Sequence, residues 1–184
     1  MKENIYTFST FNEHASSGIY QSLIEMNKDY KTPIFICIGS DMVLGDSLGP
    51  LVGTFLKNKK INAYVYGTLP FPITAKEISY ARTYLKQTHP NSICIAIDAA
   101  IGEANDVGLI RVLNKGLKPG LGVDKKLGSI GDISIVGIVA SKSAQNYNLF
   151  NLTRLNLIYK MSEVIADGIN KYINYLENKN VLFA

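Results

Sequence analysis

The sequence predicts an α/β protein in which parallel strands alternate with helices, and three observations carry that prediction. Apolar runs of strand length recur at residues 34–38, 61–68 and 91–100, with helical spacing in the intervals between them. The run at 91–100 is hydrophobic enough to be covered on both faces. Strand, helix, strand, helix, strand at these intervals is the pattern of right-handed parallel crossovers.

Taken in order, residues 1–32 read as a leader, in which Ile19, Leu23, Ile24 and Met26 mark a short amphipathic helix that docks on the domain. A buried strand is expected over 33–38, then a helix over 47–58 whose apolar face holds Leu51, Val52, Phe55 and Leu56. Residues 61–68 alternate as a second strand, and Leu69-Pro70-Phe71-Pro72 reads as a turn. A helix over 73–87 offers Ile78, Ala81, Tyr84 and Leu85 as core contacts and leads to the third strand, 91–100. The crossovers send the loops after all three strands to one edge, where open α/β sheets bind their ligands.

Residues 107–113 form a further strand, expected to be antiparallel because the connection from Asp98 is too short for a crossover helix. A glycine-rich loop at 115–126 has a length that is usually functional in compact domains. The last strand spans 132–139 and a polar connection 141–150. From Leu152, the positions Leu155, Ile158, Met161, Ile165, Ile169, Tyr172 and Leu176 step by three and four, giving a long amphipathic helix over about 152–178. One domain over residues 1–184 accounts for the chain.

Composition narrows the function classes. A hydrophobic share of 47% with 18% charge fits a folded globular chain rather than a disordered one. The net charge of +4 is scattered, and no basic stripe with interleaved aromatics points to nucleic acid. No run reaches membrane-spanning length and the amino end lacks a signal core, so the expected location is cytoplasmic. Cys37 and Cys94 lie in apolar strands and read as small core residues of a reducing compartment.

The stretch from Cys37 to Pro50 organises the rest. Gly39 lets the chain leave the strand, Gly45 permits a second bend, and Gly49 allows close approach of the first helical turn. Pro50 suits the first turn of a helix. Asp46 therefore stands just ahead of a helix amino end, where it either caps the helix or presents a carboxylate to the crevice. Asp98 ends the third strand, so parallel pairing brings it to the same edge; taken alone, it could simply open the following turn. Asp41 competes with Asp46 within the first loop.

These residues carry a resemblance. Gly39-Ser40 followed by Gly45-Asp46-Ser47-Leu48-Gly49-Pro50-Leu51-Val52 resembles the germination protease of bacterial spores and, more distantly, the hydrogenase maturation endopeptidases. The chain resembles most the small sporulation proteins of the YyaC family, through Gly67-Thr68, Pro72-Ile73, residues 95–99, residues 118–122 and residues 136–139. The resemblance implies a three-layer α/β/α sandwich of the phosphorylase/hydrolase-like kind with a mixed central sheet. It also implies an atypical aspartic endopeptidase acting on small acid-soluble spore proteins in a sporulating cell or spore interior, with Asp46 and Asp98 as the essential pair.

No metal is expected. The maturation enzymes add a histidine to the two carboxylates, but His14 and His89 both read as surface residues away from the pair, and nickel or zinc favours nitrogen or sulfur ligands. No cofactor is expected either. Two carboxylates about 4 Å apart repel by on the order of 4 kcal/mol at an effective dielectric of 20, enough to hold one protonated while the other ionises. The ionised member would activate water and the protonated one would assist the carbonyl or leaving amine, in an order the sequence leaves open. Gly39, Ser40, Gly45, Thr68, Lys118 and Gly120 are the candidate substrate contacts, with backbone amides near Gly45 and Gly120 as oxyanion donors. The expected partner is a peptide or small protein, and a homo-oligomer is compatible with this reading. The alternative is a non-catalytic sporulation regulator or phosphate-binding module, using the glycine-rich turn with Lys118 or Lys125.

Overall fold

A computed structural model describes residues 4–119, 128–142 and 153–179. Six strands form one mixed sheet in the order β1-β5-β6-β4-β2-β3: β1 is Ile5–Ser9, β2 Pro33–Cys37, β3 Tyr64–Tyr66, β4 Ile93–Gly102, β5 Leu109–Leu113 and β6 Ile133–Ser141. β3, β2, β4 and β6 run parallel, and β5 is antiparallel to both β6 and β1. The helices are α1 (Ala15–Met26), α2 (Leu48–Asn58), α3 (Ile78–Thr88) and α4 (Leu155–Asn178).

The expected α/β fold with a mixed sheet is present, in three layers. Phe35, Cys37, Ile95 and Ile97 point to a core closed by α1, α2 and α4. The alternate residues Ile34, Ile36, Ile38 and Ala96 point to the opposite face, where Ile78, Ala81 and Leu85 of α3 cover them. β2 is buried along its whole length, as its unbroken apolar run requires.

Several expectations are corrected. Residues 5–9, read as part of a leader, form an edge strand paired with β5 from Ile5↔Leu113 to Ser9↔Leu109. The reading missed it because an edge strand five residues long needs burial of only Tyr6 and Phe8, while Ile5 faces solvent. The helix of the leader does dock, through Ile19 and Leu23. The second strand shortens to Tyr64–Tyr66, and α3 begins at Ile78 because residues 73–77 are spent pairing Ile73 with Ile38 and turning through Thr74–Glu77. Tyr84 is not a core contact but is 40% exposed. Cys37 is fully buried, whereas Cys94 is only partly so. No described helix is long and apolar enough to cross a membrane.

Candidate functional site

At the carboxyl edge of β2 the backbone folds back on itself. The Ile38 N–H donates to the Ile97 carbonyl at 2.8 Å, the Gly39 N–H to the Ile73 carbonyl at 2.9 Å, and the Ser40 N–H to the Asp46 carbonyl at 3.0 Å. Gly39 has φ +141°, and a Cβ there would stand 2.0 Å from the Asp46 carbonyl oxygen, so only glycine lets the two ends of this loop meet. Gly49 brings α2 equally close: its Cβ would lie 2.0 Å from the Ile38 carbonyl oxygen. Asp46 is thereby fixed in a short 3-10 turn, Leu44–Ser47, that runs directly into α2. Gly45 lies inside that turn, with no positive φ.

Asp46 does not cap α2, since neither the 3-10 turn nor α2 carries a side-chain capping bond, and the Ser47 hydroxyl donates instead to the Leu44 carbonyl at 2.6 Å. Asp41 is exposed in the outer part of the loop. Of these two loop acids, Asp46 is the partly buried one. Burial lifts its carboxyl from the ordinary 3.8 to about 6, against the opposing pull of a backbone hydrogen bond from Ser40.

Asp98 continues the row of Cys94 and Ala96, which face α3. In register it stands between Val136 of β6 and, one step beyond the Cys37↔Ile97 pair, Ile38. Its Oδ1 accepts the Ala99 N–H at 2.8 Å. The residue keeps some exposure, yet its carboxyl is enclosed enough that burial raises its pKa well above the usual range, and the charge of Asp46 raises it further. The two aspartates therefore share one electrostatic site. The charge of Asp46 favours the protonated form of Asp98, so the titrations of the two groups are linked.

The other expected contacts are placed as follows. Gly39 and Ser40 spend their N–H groups on the loop itself. Thr68 is partly buried just beyond β3 and exchanges backbone hydrogen bonds with Phe71, both at 3.1 Å. Lys118 is exposed beside Leu117, which pairs with Ile130 and packs on the α3 face. Gly120 and Lys125 lie outside the described residues. His14 is exposed. His89 is not the plain surface residue expected: its Nε2 meets the Tyr66 hydroxyl at 2.6 Å and its ring lies 4.5 Å from that of Tyr64. Neither histidine joins the aspartates, and among the described residues no group of three or more His, Cys, Asp or Glu could hold a metal. The donor set does not fit nickel or zinc. Tyr84, expected in the core, lies with Tyr80 and Glu77 along one side of α3 and its entry; neither Glu77 nor Tyr80 figures in the sequence expectations, and their spacing of three and four was the available signal.

The family described as "Protein of unknown function (DUF1256)" matches residues 7–168. The chain belongs to that family. A protein of Bacillus subtilis (strain 168), "Uncharacterized protein YyaC", is 40% identical over 141 residues, covering 76% of this chain and 69% of that one. The fold resembles a crystal structure titled a [NiFe] hydrogenase maturation protease, HycI, from Thermococcus kodakarensis KOD1, with a TM-score of 0.52 and 16% identity over 78% of this chain and 93% of that one. This DUF1256 chain therefore shares the α/β fold of a protease, at an identity that speaks for fold alone.

Proposed function

We propose that this DUF1256 chain is a sporulation-associated endopeptidase of atypical aspartic type, in which Asp46 is the general base and Asp98 the general acid. The observation that carries the reading is the pair of enclosed carboxylates at the carboxyl edge of the sheet, both with raised proton affinity and that of Asp98 raised further by the charge of Asp46. Near neutral pH, Asp46 is ionised and takes a proton from the attacking water. Asp98 keeps its proton and passes it to the carbonyl oxygen or the leaving amine. Separation of the two titrations does the work that a histidine does in other hydrolases. Activity then rises as pH increases through about 6, where Asp46 ionises, and falls again where Asp98 loses its proton.

The substrate class implied by the resemblance is the small acid-soluble spore proteins. The phosphate-binding alternative draws less support, because Asp46 puts its own negative charge in the turn that leads into α2, where an anion would seat. The test is incubation of the purified chain with those spore proteins, with products mapped by mass spectrometry, beside folded Asp46→Asn and Asp98→Asn variants. Each substitution should slow cleavage by about 100-fold or more. Equal cleavage by all three proteins would remove the dyad from the mechanism.

A further inference from the structure

The face that carries Asp98 also carries a cavity of about 420 Å³, between α3 and the free edge of the sheet. Tyr66, the last residue of the edge strand, forms one wall, and Tyr80 and Tyr84 of α3 form another. The rings of Tyr80 and Tyr84 stack at 6.2 Å with 18° between their planes, and Tyr66 meets Tyr84 edge-on at 6.0 Å. The hydroxyl of Tyr66 is tied to His89, which holds that ring in place. Ile73, Ala81 and Leu85 supply an apolar lining. Tyr80 is nonetheless 74% exposed, a large aromatic surface left for something to cover.

One charge completes the cavity. The Glu77 carboxylate accepts the Thr74 N–H at 2.9 Å and the Thr74 hydroxyl at 2.5 Å. These bonds hold its pKa below the ordinary value, so it is ionised at neutral pH, with Lys76 acting on it from the neighbouring position. Three tyrosine rings and a fixed carboxylate suit a cation, and an apolar lining suits an aliphatic stem beneath it. An acidic side chain would be repelled, and a purely apolar one would desolvate Glu77 with nothing in exchange.

The cavity is aligned with the aspartates. Ile73 pairs with Ile38, and Ile38 follows the Cys37↔Ile97 pair into the row of Asp98. Neighbouring strands are about 4.8 Å apart, which sets the cavity wall at Ile73 about 10 Å from Asp98. An extended peptide covers that distance in about three residues.

We propose that this cavity is a specificity pocket for a lysine side chain of the substrate, about three residues from the bond presented to Asp46 and Asp98. The assignment rests on the peptidase reading for the nature of the substrate, while the preference for an alkylammonium stands on the cavity alone.

The test uses the full Asp46→Asn chain, so that binding is read without turnover. Two acetylated and amidated tetrapeptides, identical except for lysine against norleucine, which keeps the four-carbon stem and lacks the ammonium, are titrated while NMR follows the tyrosine rings. The lysine peptide should bind about ten-fold more tightly, with shifts centred on Tyr66, Tyr80 and Tyr84. Adding Glu77→Gln, which keeps an acceptor for Thr74 but removes the charge, should abolish the preference, and Tyr80→Ala should weaken it. Equal binding of the two peptides, binding of neither, or a preference that survives Glu77→Gln would overturn the pocket. A lysine preference in a chain whose wild type cleaves no lysine-containing spore protein would instead overturn the peptidase reading and leave the pocket standing.

Discussion

On one face of the sheet α1, α2 and α4 close over Phe35, Ile95, Ile97 and Ile135, whereas on the other α3 alone covers Ile34, Ile36, Ile38 and Ala96. The three-helix face contains the longest helix and glycine contacts at van der Waals limits, such as Gly49 against the Ile38 carbonyl. The single-helix face holds Asp98, the tyrosine cavity and Glu77. Rigidity and chemistry are thus divided between the two sides of the same strands, and alternation along β4 is enough to send Ile97 into one and Asp98 into the other. On the thin side, enclosure and the charge of Asp46 both favour the protonated form of Asp98.

The largest effect that tests this division is a pair of core truncations. Phe35→Ala, on the closed face, should cost about 3–5 kcal/mol in urea denaturation, since its fully buried ring leaves a cavity that three helices cannot close. Leu85→Ala, on the face of α3, should cost about 2 kcal/mol, near the low end for such a change, because its surroundings already border open space. Equal losses would mean that α3 is packed as tightly as the other three helices.

How far the sequence reveals this arrangement follows from the same division. β2, β4, β6, α2 and α4 announce themselves because burial on the closed face demands long apolar patterns, and the observed bounds lie within a few residues of the expected ones. β1 does not, because an edge strand presents alternate residues to water and asks for little apolar patterning. Asp46 and Asp98 stand out in sequence as acids at the ends of such patterns, but their electrostatic coupling and raised proton affinities depend on the Gly39 fold-back and on burial, which no local pattern records. Glu77 and Tyr80 belong to no apolar pattern, and Tyr84 sits at core spacing on α3 yet is exposed, so spacing alone points it to the wrong side.

A middle-sized effect is expected at the join between rigid scaffold and site. Gly39→Ala adds a Cβ where φ is +141° and the Asp46 carbonyl oxygen is 2.0 Å away. The loop must open, at a cost of about 1–3 kcal/mol in thermal or urea unfolding. Because the displaced residue is Asp46, the apparent pKa near 6 should fall toward the ordinary carboxylate value as its carboxyl gains water. A variant of unchanged stability and unchanged titration would show that Gly39 does not position the aspartate.

The smallest effect reads the electrostatic cost of the site itself. A carboxyl whose folded pKa is raised from 3.8 to about 6 binds its proton more tightly in the native state, so the unfolded chain releases protons first as pH rises. Stability therefore declines between about pH 4 and pH 6, and the full penalty persists above that range. The rise corresponds to at most about 3 kcal/mol, and about 1–2 kcal/mol once solvent screening of the partly exposed carboxyl is allowed for. Asp46→Asn should remove that penalty: the variant gains about 1–2 kcal/mol at pH 7.5 and little at pH 4, measured by urea denaturation at each pH. Asp98→Asn should gain much less at pH 7.5 if Asp98 is the proton-bearing acid of the proposed pair, because amide then replaces acid without removing a charge. If the two variants gained equally at pH 7.5, both carboxylates would be ionised together, the acid and base roles would lose their physical basis, and the single-helix face would be no special place for a proton.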